Sequence, residues 1–151
     1  MGIKKISTLL VLILALGIIF FINKQDEKCV NLYVDFGSLN YGEKITKCVD
    51  TNSKITALDV LNKGNLRIEG TKKYGLGVVC RINGLPNAKI ESCETMPPAN
   101  SYWAIIIKEK QLLPFPTNAW GWAQLSVDEQ LLNPGDSIGF VFTENGKVNF
   151  P

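Results

Sequence analysis

Four cysteines are the residues whose type and spacing most invite chemistry. Cys29, Cys48, Cys80 and Cys93 are separated by 18, 31 and 12 residues. Zinc sites draw their thiolates from close pairs such as C-x-x-C, usually with histidine. This chain has no such pair and no histidine at all, so no metal ligation is expected. An even number of widely spaced cysteines behind an apolar N-terminal run reads instead as two disulfides, and so as an oxidising compartment. The missing histidine also removes Ser–His, Cys–His and His–metal catalysis. The carboxylates are scattered, and only Asp35, at a hairpin end, and Asp136, in a turn, have a specific setting. The chain therefore reads as a non-enzyme, with no cofactor implied.

Binding is the remaining chemistry, and its candidates are Tyr102, Trp103, Trp120, Trp122 and Arg81. Large aromatics supply wide contact area and flat faces for rings. Strand alternation separates Trp103 from Tyr102 and puts Trp120 and Trp122 on one face. One of these faces belongs to the core, and the residue types alone leave open which aromatics pack and which face a ligand or partner. Arg81, beside Cys80, has two readings, an anion contact or an ordinary exposed strand residue.

The elements that must position these residues follow from periodicity. Val30, Leu32, Val34 and Phe36 alternate with Cys29, Asn31, Tyr33 and Asp35, the period of a half-buried strand. Gly37–Gly42 supplies turn chemistry, and residues 45–49 return. Placing Cys29 opposite Cys48 sets Asn31 against Thr46, Tyr33 against Lys44 and Leu32 against Ile45. That register joins the cysteines and sorts the faces, which predicts a Cys29–Cys48 bridge. A helix of roughly three turns follows, capped by Asn52 or Ser53. Its apolar stripe is Ile55, Leu58 and Leu61 with Ala57 and Val60 beside them, and Gly64 ends it in a left-handed conformation.

From Leu66 the pattern returns to strands. Leu66 and Ile68 make a brief one, and residues 70–77 read as a loop. Residues 78–82 read as a central strand, turned back by Asn83-Gly84. The strand–turn–loop spacing beyond it predicts a Cys80–Cys93 bridge. Residues 102–107 form a strongly β-prone run, and Pro114 and Pro116 exclude regular structure nearby. Residues 120–125 read as a further strand and residues 126–132 as one helical turn, with Ser126 and Glu129 at capping-box spacing. Pro134-Gly135-Asp136 is a turn before a last core strand over 138–142. A short helix lying on a mixed sheet is an α+β solution.

The N-terminus reads as an address. Lys4 and Lys5 precede a run from Ile6 to Ile22 that would reach about 25 Å as a helix, enough for a thin bilayer. The run ends Phe20-Phe21-Ile22-Asn23-Lys24, without the small residues of a cleavage site. An uncleaved membrane anchor is thus favoured over a cleaved signal peptide. Residues 1–28 are expected as anchor and linker, with residues 29–151 forming one extracytoplasmic domain. Beyond Lys4 and Lys5 the chain holds 14 Lys+Arg against 14 Asp+Glu. That neutral balance is not the basic excess a nucleic-acid binder needs.

Several motifs together resemble a known family. They are Val34-Asp35-Phe36-Gly37, Cys48, the helix over 57–61, Val79-Cys80-Arg81-Ile82-Asn83-Gly84-Leu85-Pro86, Cys93, Pro97-Pro98-Ala99, Tyr102-Trp103 and Asn133-Pro134-Gly135-Asp136-Ser137-Ile138-Gly139-Phe140. In this combination the chain resembles secreted actinobacterial proteins similar to the C-terminal domain of transcobalamin. The resemblance implies a β-grasp-like mixed sheet with one short helix. It also implies a module for a small ring-bearing ligand such as a corrinoid. Ala104-Ile105-Ile106-Ile107 stands where that family commonly has a second Tyr-Trp pair. The competing expectation is a non-enzymatic structural or protein-interaction domain of the cell envelope.

Overall fold

The computed structural model describes residues 28–109 and 119–151. The expected anchor at residues 6–22 and the segment holding Pro114 and Pro116 lie outside the described residues. Among the described residues no helix is long and apolar enough to cross a membrane.

The chain folds as a mixed five-stranded sheet carrying one short helix among the described residues, an α+β arrangement. Strands β1 (Cys29–Asp35) and β2 (Lys44–Asp50) form the N-terminal hairpin. Strand β3 (Ile55–Thr56) leads into helix α1 (Ala57–Lys63), and β4 (Ile68–Thr71) pairs with β5 (Gly75–Ile82). Strands β6 (Trp103–Lys108), β7 (Gly121–Trp122), β8 (Leu131–Leu132) and β9 (Ser137–Phe142) follow. The main sheet runs β2-β1-β9-β6-β7, with β1 parallel to β9 and every other pairing antiparallel. Two-stranded sheets β3-β8 and β4-β5 stand beside it.

The rows of the sheet sort residues by face. Leu32 pairs with Ile138, which pairs with Ile107; Val34 pairs with Phe140, which pairs with Ile105. This inner face meets Ala57, Val60 and Leu61 of the helix, together with Leu66, Val79, Ile82, Val127 and Leu132, in a single core. The alternation of β1 thus becomes one wall of the interior, and a helix of only two turns is held by burial of one face.

Both disulfides are present, Cys29–Cys48 and Cys80–Cys93, with Cα separations of 5.5 and 5.7 Å. The hairpin register differs from the expected one by two residues. Cys29 lies opposite Asp50 and Cys48 opposite Asn31, so the bridge spans a diagonal. The cause is the turn. A 3-10 turn over Gly37–Asn40 and a left-handed Tyr41 lengthen the loop, which closes where Phe36 N–H donates to Glu43 O at 3.0 Å. A shift of two preserves the faces because the side-chain period is two. It changes the partners, so that Leu32 meets Lys47. The Lys47 ammonium resolves its place at the inner row by donating to Gly64 O at 2.6 Å, at the end of the helix where backbone carbonyls favour a cation.

The helix also departs from expectation. Residues 55–56 are strand, and Thr56 is the N-cap rather than Asn52 or Ser53. The Thr56 hydroxyl accepts from Asp59 N–H at 3.1 Å, and Asp59 Oδ2 accepts from Thr56 N–H at 3.2 Å, a capping box that satisfies two otherwise free donors. Pairing with β8 draws Ile55 into a sheet, and of the expected stripe Ala57, Val60 and Leu61 are the buried helix residues while Leu58 is half-buried. At the other end Gly64 is right-handed, and Asn65 takes the left-handed step at φ 58°. Leu66 N–H donates to Leu61 O and Asn65 N–H to Asn62 O, the paired bonds of a Schellman ending. Gly64 serves a different purpose, because a Cβ there would lie 2.7 Å from Leu32 Cδ2.

Two further readings change. Residues 70–77 form a bulged hairpin rather than a loop, and β5 belongs to a side sheet instead of the centre of the main one. Asn83 and Gly84 do turn the chain, at φ 53° and 79°, but Leu85 returns only a single bridge to Ile82. The one turn expected over residues 126–132 is present at its start, where Gln130 N–H donates to Ser126 O. Leu131 and Leu132 instead join β8.

Candidate binding groove

Several segments distant in sequence converge on one groove of about 750 Å³. One wall is the start of β6 with Tyr102 before it, and another is Gly77–Val79 of β5. The loop beyond Cys93 contributes Met96, Pro97 and Ala99, and β7 and its exit contribute Trp122 to Ser126. The Cys80–Cys93 bridge ties β5 to this loop, so two walls of the groove are covalently linked. Lys72 N–H donating to Cys93 O at 2.7 Å adds a second tie.

Among the described residues the lining carries no Asp, Glu, Lys or Arg side chain. Its polar side chains are Tyr102, Gln124 and Ser126. Met96, Trp122 and Leu125 are 60%, 48% and 51% exposed, three of the large apolar side chains left open to water, and all three line this groove. Isolated exposed apolar residues are ordinary, whereas their convergence in a concave place makes this groove the candidate binding surface.

The aromatic candidates divide into different roles. Trp103 is 5% exposed and packs edge-on to Phe36 and Phe142 at 5.3 and 5.4 Å between ring centroids. Its indole N–H donates to Leu85 O at 3.2 Å, the partner a buried indole needs. It is a core residue that also forms groove wall. Tyr102 is half-buried at the groove and is fixed through its backbone to Thr143. Trp122 is the open indole, with Phe150 of the C-terminal tail edge-on to it at 6.0 Å. Trp120 lies elsewhere. It stands 6.3 Å from the Tyr33 ring and against Gly139 on the outer face, where a Cβ on that glycine would sit 2.7 Å from Ile106 and 3.3 Å from Trp120.

Arg81 is also placed away from the groove, and its donors are used internally. Nε donates to Pro86 O at 2.9 Å, one terminal nitrogen to Glu69 Oε2 at 2.9 Å and the other to Glu91 O. It clamps β4, the Asn83-Gly84 turn and the stapled loop together. A guanidinium so engaged has little left to offer an anion.

Comparison with protein-family models, curated proteins and solved structures finds no match.

A polar cluster of Tyr33, Asp35 and Lys44 lies on the outer face. The Asp35 carboxylate accepts from Gly37 N–H at 2.9 Å and from the Tyr33 hydroxyl at 3.0 Å, with Lys44 Nζ at 3.1 Å. Burial alone would raise this carboxyl, but the Gly37, Lys44 and Tyr33 interactions outweigh it and hold it below the usual range. Burial, and then the bond to Asp35, raises the Tyr33 phenol. The bond to Asp35 raises Lys44. The cluster fastens the hairpin turn. Asp136 acts likewise in its own turn, where Oδ2 accepts from Asn133 N–H at 2.7 Å.

Gln124 and Leu125 read from the sequence only as strand, Ser126 only as a capping residue and Gly77–Val79 only as loop and strand, so none of them stood out as a groove residue.

Proposed function

We propose that this chain is a membrane-tethered, extracytoplasmic binding module whose groove takes a small, uncharged, ring-bearing ligand. The observation that carries this reading is the convergence of Met96, Trp122 and Leu125 on a groove that has no charged side chain among the described residues. A charged ligand would leave water for a lining with no ionised partner, a cost that selects neutral, apolar chemistry. The Cys80–Cys93 staple pre-forms the groove, which lowers the ordering cost of binding. Tethering rests on the apolar run at residues 6–22 and on the two disulfides.

A β-grasp architecture is the finer reading of this α+β fold. An N-terminal hairpin, a helical crossover and a first strand parallel to the last at the sheet centre are the arrangement that name describes. The resemblance to the transcobalamin C-terminal domain makes a corrinoid the first ligand to test. The competing reading, an envelope interaction domain, draws on the scarcity of polar groups in the lining, since such groups orient small ligands.

Titration of the full chain with cyanocobalamin and with uncharged indole or naphthalene probes, followed by tryptophan fluorescence, tests the proposal. Binding that is lost in Trp122→Ala and Leu125→Asp is the expected result. No binding of any ring probe at ~100 μM, less than ~5.5 kcal/mol of affinity, would sink it and leave the interaction domain ahead.

A further inference from the structure

The groove lies against two strand edges. Ala123 N–H donates to Ile105 O at 3.0 Å, while Tyr102 exchanges bonds with Thr143 on the β9 side, its O accepting from Thr143 N–H at 2.8 Å. In an antiparallel ladder successive residues alternate between the two neighbours. Trp103 therefore directs its backbone N–H and C=O away from β9, toward the side that β7 occupies. But β7 pairs only with Ile106 and Ile107, so among the described residues no strand stands beside Trp103. Across the groove is β5, which among the described residues has β4 as its one strand neighbour and lends Gly77–Val79 to the lining. An uncovered edge with its donors and acceptors open is a template for one more strand.

We propose that the groove's ligand is an uncharged, extended peptide segment that adds as a strand to β6 at Trp103, where no described strand pairs, and seats an aromatic side chain against Met96, Trp122 and Leu125. This rests on the reading of the groove as a ring site and names the carrier of the ring. The edge explains features that a free ring would leave unused. Main-chain bonds supply orientation in a lining poor in polar side chains, and alternate residues of the segment reach the apolar wall. The charge-free lining sets the chemistry of the partner, because a Lys or Glu at the seated position would lose its hydration without gaining a counter-charge. The added strand continues the line that β7 begins.

The test compares three probes on the full chain: free indole, an acetylated and amidated Thr-Phe-Thr-Phe-Thr peptide, and that peptide N-methylated at one or the other alternate set of amides. The expected result is peptide binding at least tenfold tighter than indole, with at least one methylated form weakened tenfold or more. Indole binding with no gain for the peptide overturns the strand-addition proposal and leaves the ring site standing. Equal binding of the parent and both methylated peptides also overturns it, because pairing then contributes nothing. Failure of indole and peptide alike removes the ring site and this inference together.

Discussion

Gly64→Ala is a substitution for which local propensity and tertiary packing give opposite signs. Gly64 has φ −72° at the end of α1, a conformation alanine adopts without strain. Replacing glycine there should gain about 0.4–1 kcal/mol through the unfolded chain. In the folded chain the new Cβ would stand 2.7 Å from Leu32 Cδ2 and 3.1 Å from Val60 O. Leu32 is fully buried between the helix and the sheet, so the clash cannot relax into solvent. Overpacking of this kind costs about 1–3 kcal/mol, and the net expectation is a loss of about 1 kcal/mol. Asn65→Gly is the matched control. Asn65 holds the left-handed position at φ 58°, where glycine pays no Cβ penalty, and the change should be neutral or gain about 0.5 kcal/mol. Urea unfolding with the disulfides intact reads both. With a slope of about 1–3 kcal/mol per molar, Gly64→Ala should lower the midpoint by roughly 0.3–1 M. A midpoint at or above that of the parent would refute the assignment of Gly64 to close packing.

Asp35→Asn should cost about 1–3 kcal/mol at neutral pH, since it removes the charge from a buried carboxylate with three partners. Because the folded carboxyl is held below its ordinary value, its contribution is present above the unfolded value near ~3.9 and is lost as pH falls through the folded one. The parent should therefore lose stability on acidification below about pH 4 more steeply than the variant, as followed by urea midpoints across pH. Non-reducing peptide mapping should yield Cys29–Cys48 and Cys80–Cys93 peptides, and Cys80→Ser with Cys93→Ser should cost on the order of 3 kcal/mol. Trp103→Phe should destabilise by about 1–3 kcal/mol, because it removes the indole bond to Leu85 O (which keeps its bond from Ile82 N–H) and leaves space against Phe36 and Phe142, whereas Trp122→Ala should weaken ring binding with a much smaller change in midpoint.

The sequence by itself determined which side each residue of a strand would take. The alternation of β1, the β-prone run of β6 and the turn at Asn83-Gly84 are encoded within a few residues, so a period of two reads them directly. It determined the cysteine pairs as well, because a two-residue slip in the hairpin keeps the faces and still leaves Cys29 within reach of Cys48. What it left undetermined was the partner. Loop-closure entropy changes slowly with length, so nothing local separates a short turn from the 3-10 turn and left-handed Tyr41 that close the hairpin. Pairing with Leu131 and Leu132 moved the helix start to Thr56, and contact with Leu32 gave Gly64 its role; both depend on residues far along the chain. The same holds for the aromatics. Alternation separated Trp103 from Tyr102, but only the packing of Phe36 and Phe142 made Trp103 core, and only Gly139 made room for Trp120 on the outer face. The groove was decided by tertiary structure alone. Its walls come from positions 77–79, 96–99, 102–105 and 122–126, and a surface built from segments so far apart has no periodicity for a sequence to carry.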